Sequence, residues 1–200
     1  IGEWVIRTAC RQLHEWDQAG MGALNLMINI SPRQFRDSNL VRTINDALAE
    51  FQIDGHRLEL EITEQLLARD PEETRMVLET LRNKGIRIAL DDFGTGASSL
   101  SHIKEFPFDT LKIDRSSVSK LLLQSEDKAL VEGTVTMAKG MGLRTVGEGV
   151  ETSEQFDYLK TQGFDKVQGF LFAQALPADQ FEAYFQTFKL QNSQENSSGT

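Results

Sequence analysis

Short apolar runs alternate along this chain with longer stretches whose apolar residues recur every three to four positions. Six runs predict strands: Asn25–Ser31, Leu58–Thr63, Ile86–Asp92, Thr110–Asp114, Leu143–Gly149 and Lys166–Phe172. Each is brief, rich in Ile, Leu and Val, and bounded by polar residues or glycine. Helical periodicity predicts Ile1–Trp16, Leu40–Phe51, Pro71–Lys84, Ala97–Ile103, Asp127–Lys139, Ser153–Thr161 and Asp179–Phe188. Asp70 followed by Pro71 is a helix-start pair. Gly85, Gly140 and Gly163 are the expected helix exits. One domain over residues 1–190 is predicted, followed by a disordered polar tail over 191–200 (QNSQENSSGT).

Strand–helix–strand alternation implies parallel strands joined by right-handed crossovers. Two α/β architectures compete, an open doubly wound sheet and a TIM-like (β/α)8 barrel. Polar residues close nearly every strand, which favours the barrel, because a barrel assembles its site from all its strand ends. An open sheet concentrates its site at one switch point.

Side chains alternate along a strand. In the first four strands one parity is apolar and suits packing against helices, as with Leu58, Leu60 and Ile62. The other parity faces the barrel interior. Near the strand ends it presents Asn29, Glu61, Asp91, Lys112, Glu148 and Gln168, one from each strand. A single such residue reads as a satisfied polar group at a strand end. Six in register, with three carboxylates and a lysine, read as a site, since unpaired buried charges are costly and demand mutual pairing or a cation.

Composition sharpens this picture. The chain has 200 residues, 40% of them hydrophobic and 26% charged, and a net charge of −9. That balance argues against a DNA or RNA polymer as partner, which calls for a basic footprint. No apolar run is long enough to span a membrane, so no membrane contact is expected. One cysteine, Cys10, forms no internal disulfide, and a reducing, cytoplasmic setting is the default. The first residue is Ile1, which reads as a piece of a longer protein. A (β/α)8 barrel typically has about 250 residues. The six predicted strands are therefore two short of a closed barrel.

Asn29, Glu61, Asp91 and Asp92 offer oxygen donors only, which suits Mg²⁺ or Mn²⁺ rather than zinc. Two adjacent aspartates can serve two ions, and an ion pair clamps the attacking and leaving oxygens of a phosphoryl displacement. Metal also lets an acidic protein bind a phosphate ester. Lys112 offers either a hold on a phosphate oxygen or orientation of the attacking water. Glu148 is either a metal ligand or a general base. The loop Gly94, Thr95, Gly96 after the aspartates permits close backbone approach ahead of a helix start. His14, His56 and His102 lie away from this set.

Seven segments together resemble the EAL domain family of cyclic-di-GMP phosphodiesterases. They are IGEWVIRTAC, INISPRQF, LELEITE, DDFGTGASSL, FDTLKIDRSSV, VGEGVET and QGFLFAQALP, in family order and over nearly the whole chain. The resemblance implies a TIM-like barrel that hydrolyses cyclic-di-GMP to linear pGpG with two Mg²⁺ or Mn²⁺ ions. It implies that Asn29, Glu61 and Asp91 ligate the first ion and that Asp91 and Asp92 share the second. Lys112 and Glu148 would act on the catalytic water. Gln168 and Glu151 would support the site, and Glu64 would tether the DDFGTG loop. The resemblance also implies sensory or cyclase domains upstream. Open strand edges allow a homodimer.

The sequence departs from the family at several points. The Glu-Ala-Leu tripeptide, whose glutamate the resemblance implies as a metal ligand, does not occur upstream of IGEWV here, so the resemblance implies that the two strand units short of a barrel are the N-terminal ones. Ala97 and Ser117 replace usual aromatics, Gly147 a usual alanine and Ala175 a usual proline. Three other readings therefore stand beside the phosphodiesterase: a non-catalytic cyclic-di-GMP receptor, a truncated interaction scaffold, and an unrelated metal-dependent barrel of the enolase type.

Overall fold

A computed structural model describes the chain except residues 23, 68–69, 94–102, 123–124 and 198–200, and the side chains of 190–197. Among the described residues six strands form one sheet: β1 Leu26–Asn29, β2 Leu58–Thr63, β3 Arg87–Phe93, β4 Thr110–Ile113, β5 Arg144–Glu148 and β6 Lys166–Gln168. Their spatial order is their chain order, and every neighbouring pair is parallel. A doubly wound sheet reverses its order at a switch point. This one never does, so it curls as a half-barrel with β1 and β6 at its edges.

The helices are α1 Gly2–Gln18, α2 Pro32–Phe35, α3 Leu40–Phe51, α4 Pro71–Arg82, α5 Arg115–Lys120, α6 Ser125–Met141, α7 Ser153–Gln162 and α8 Ala178–Ser197. Their buried stripes follow the helical period: Ile6, Cys10 and Leu13 on α1, Leu40, Ile44, Ala47 and Leu48 on α3, Leu78 and Leu81 on α4. These meet Ile28, Leu58, Leu60, Ile62, Ile88 and Leu90 from the strands in one core. The apolar strand parity therefore packs on the helices, and the charged parity is left for the concave side.

Aspartates fix the starts of two strands. Asp109, just before β4, accepts the Ile88 backbone N–H at 3.0 Å, and Asp165, just before β6, accepts that of Thr145 at 2.7 Å. Each satisfies a backbone donor on the neighbouring strand that the ladder leaves over. Asp70 caps α4 by accepting from the Glu73 amide, as expected from Asp-Pro.

The structure corrects several expected boundaries. The last strand stops at Gln168, and the chain turns at Gly169, which lies so close to the Val150 backbone that no side chain would fit. Asp114 leaves β4 to cap α5, accepting from the Ser116 amide at 2.9 Å. Ser31 likewise leaves β1 to form a capping box with Gln34 that starts α2. Gly140 lies within α6, and the left-handed exit falls at Gly142 (φ 71°). The last helix, expected over Asp179–Phe188, runs over Ala178–Ser197. Nothing between Ala178 and Ser197 is Pro or Gly, so no breaker ends the helix earlier. The helix expected over Ala97–Ile103 lies almost wholly outside the described residues. Among the described residues no helix is long and apolar enough to cross a membrane.

Cys10 is fully buried on α1, and burial pushes its thiol up to about 11, against the opposing pull of Arg7. The native protein should therefore resist alkylation at pH 8 and react only once unfolded. Above pH 9.0 the unfolded thiol loses its proton while the folded one keeps it, so this group makes stability fall as pH rises toward 11. Urea unfolding across that range should show a shallower fall of stability with pH in Cys10→Ala than in the native chain. Labelling of the native thiol at the free-thiol rate would contradict this placement.

Candidate active site

The C-terminal strand ends bring four of the six in-register residues into contact. Lys112, from the middle of β4, is about 2% exposed. Its Nζ donates to Glu61 of β2 at 2.5 Å, lies 2.5 Å from the Glu148 carboxylate of β5, and is 3.5 Å from Asp91 of β3. One ammonium thus holds carboxylates from three other strands. Burial alone would push its pKa down. The hydrogen bonds and charges of Glu148 and Glu61 outweigh that and raise it above the ordinary lysine value, so the group is a fixed cation. Glu148 is pushed upward chiefly by burial, reinforced by Asp91 and Glu61 and opposed by Lys112.

The aspartate doublet depends on a local irregularity. Leu90 pairs with Leu111 and Phe93 with Ile113, so β3 spends one residue more than β4 over that interval. This bulge falls at Asp91 and Asp92. Asp92 adopts the left-handed region (φ 57°), and its N–H donates to the Asp91 carboxylate at 2.9 Å. Strict alternation would send adjacent side chains to opposite faces; a bulge re-aims them. Burial, then the negative charges of Asp91 and Asp114, raise the Asp92 pKa, with Lys112 opposing.

The remaining expected residues lie at the margins. Asn29 pairs in register with Glu61, and Gln168 with Glu148, but both belong to edge strands and are exposed. Glu64 opens a single 3-10 turn, Glu64–Leu66, after β2. Its expected partner loop, with Gly94, Thr95 and Gly96, lies outside the described residues. Glu151 pairs with Arg115 at 2.5 Å rather than with the lysine cluster. Sequence reasoning passed over Arg115. Its guanidinium sits over the Phe170 ring, 5.8 Å from the centroid, and its side chain fills the space beside Gly149 (φ 68°) that any larger residue would need. The two together line a small cleft of about 210 Å³ next to Glu148. The signal available was the left-handed Gly149 directly after Glu148.

The donor chemistry here is oxygen only, which fits a hard divalent ion. Among the described residues no three acidic, histidine or cysteine side chains are grouped so as to hold an ion. The cation that Glu61, Asp91 and Glu148 surround is the Lys112 ammonium.

The family model of the EAL domain matches residues 1–175. The chain belongs to the EAL domain family. MucR of Pseudomonas aeruginosa, a bifunctional diguanylate cyclase/cyclic di-GMP phosphodiesterase, is 39% identical over 183 residues, 92% of this chain and 27% of MucR. A PaMucR phosphodiesterase solved with c-di-GMP superposes with a TM-score of 0.87 at 39% identity, covering 90% of this chain and 73% of that one. Klebsiella pneumoniae BlrP1, solved with manganese and cyclic-di-GMP, gives 0.75 at 29% identity, covering 84% and 43%. This EAL domain spans about a fifth to a quarter of the length of the first curated relatives it matches.

Breaking a buried pair from one side costs about 3–5 kcal/mol. Lys112→Met should cost that much by urea unfolding at pH 8. With the ammonium gone, Glu148 loses the contact that opposes its raised pKa. Between the ordinary value of 4.5 and that raised value the folded state then binds more protons than the unfolded one. The penalty should therefore shrink toward pH 5. A penalty that does not change with pH would contradict the pairing.

Proposed function

We propose that this EAL domain hydrolyses cyclic-di-GMP to linear pGpG in a metal-dependent reaction. The observation that carries the reading is the buried Lys112 hub, with its carboxylates at the strand ends of an EAL half-barrel. The cyclic-di-GMP complexes of the PaMucR and BlrP1 proteins support the substrate, and the manganese of the latter supports the cofactor class.

In this reading Asn29, Glu61 and Asp91 hold a first Mg²⁺ or Mn²⁺, and Asp91 and Asp92 a second. Bound there, the ions would supply Lewis acidity toward the phosphate. Glu148 accepts a proton from the attacking water, a role for which a carboxylate with a raised pKa is suited. As the water oxygen bonds to phosphorus, the ester bond to one ribose oxygen breaks, that oxygen takes a proton from solvent, and Glu148 returns its own to solvent. Lys112, a fixed cation, counters the charge that builds on the phosphate. Glu64 would tether the DDFGTG loop, and Glu151 and Gln168 would support the site. The domain works in the cytoplasm, whether or not the parent protein is membrane-anchored, and the parent carries sensory or cyclase domains alongside it. Pairing of two copies through open strand edges also belongs to this reading.

Incubation with cyclic-di-GMP and Mn²⁺, followed by chromatography, should show pGpG. EDTA should abolish it, and Glu148→Ala should lower the rate by about 10²-fold or more. Tight binding of cyclic-di-GMP with no pGpG under any divalent ion would replace this reading with that of a non-catalytic receptor.

A further inference from the structure

One layer below the Lys112 cluster, on the same four strands, lies a second set of charges that the proposed reaction does not use. Its centre is Glu59 of β2, about 1% exposed. The Glu59 carboxylate accepts from the Thr110 hydroxyl of β4 at 2.5 Å. It lies 3.6 Å from Arg87 Nε of β3 and 3.8 Å from an Arg144 Nη of β5. One buried carboxylate therefore reaches three other strands across the concave face.

The correspondence with the upper layer is residue by residue. Glu61 follows Glu59 by two positions on β2, and Lys112 follows Thr110 by two on β4. Asp91 follows Arg87 by four on β3, and Glu148 follows Arg144 by four on β5. Side chains two and four apart share a face of a strand. The four strands that supply Glu61, Asp91, Lys112 and Glu148 are thus the four that Glu59 ties together. The charges are also complementary. Glu59, Arg87 and Arg144 sum to +1, beneath an upper set of Glu61, Asp91, Glu148 and Lys112 that sums to −2. The Arg87 Nε and Nη2 atoms are buried without a hydrogen bond, so this arginine is held beside Glu59 by charge.

We infer that Glu59 is a positioning residue. By binding β3, β4 and β5 to β2 from the inside, it sets the spacing at which Glu61 and Glu148 close on Lys112. A buried ionic layer is not an economical way to stabilise a core, since apolar residues of similar volume usually serve as well or better. What it provides is directional contact among four strands at once.

The inference rests on the proposed phosphodiesterase reading for its kinetic test. Glu59→Gln keeps the shape and an acceptor for Thr110 but removes the charge. It should lower kcat for cyclic-di-GMP by about 10-fold and leave KM within about twofold, because Glu59 touches no substrate. Replacing the whole layer (Glu59→Leu with Arg87→Met and Arg144→Met) should restore thermal stability lost in Glu59→Leu without restoring kcat. If kcat recovers together with Tm, Glu59 only supports the fold and the inference is overturned. If the unaltered chain shows no turnover, that failure belongs to the phosphodiesterase reading alone. Crystal structures of the unaltered chain and of Glu59→Gln then decide the matter. A Lys112–Glu61 or Lys112–Glu148 separation lengthened beyond hydrogen-bond range in the variant supports the positioning role, and unchanged distances overturn it.

Discussion

The ammonium of Lys112 is the constraint around which this half-barrel is arranged. A lysine that is about 2% exposed is tolerable only with its charge matched, and here Glu61 and Glu148 do the matching at 2.5 Å each. The arrangement works in both directions. Glu61 and Asp91 are buried as well, and three carboxylates without a central cation would repel one another in a low-dielectric site. Strand order supplies the geometry. Because β2 to β5 are consecutive and parallel, residues at their C-terminal ends fall side by side on one concave face.

The same logic explains why neutral packing and charge are so strictly separated. The apolar parity of β1 to β3, with Leu111 of β4, joins the stripes of α1, α3 and α4 in one core, while Ile113 packs in a second with Val118, Leu121 and Val131. The opposite parity carries the ionic layers. A slip of one residue in any strand would send its charges into the helix layer and its Leu or Ile residues into the site. The aspartates that hold neighbouring strand starts, Asp109 on Ile88 and Asp165 on Thr145, fix that register from the far end of the sheet.

Much of this was legible in the sequence. Leu58–Thr63 and Leu40–Phe51 were placed to the residue, because periodicity there is clean and the flanks are polar. The grouping of Glu61, Asp91, Lys112 and Glu148 followed from parity alone. What periodicity could not supply were local events shorter than its own window. The bulge at Asp91–Asp92 and the one-turn helix Pro32–Phe35 depend on single left-handed or capping residues, and the turn at Gly169 on one close backbone approach. Arg115 was passed over because it lies past the end of β4, outside any strand pattern. Asn29 and Gln168 share the parity of the cluster but belong to edge strands, and edge position is a property of topology rather than of spacing.

The most direct measurement is a crystal structure of this chain with cyclic-di-GMP and Ca²⁺. The account predicts the bound phosphodiester at the C-terminal strand ends, within hydrogen-bond reach of Lys112 Nζ and next to Glu148. A ligand seated elsewhere, with Lys112 still closed on Glu61 and Glu148, would contradict it.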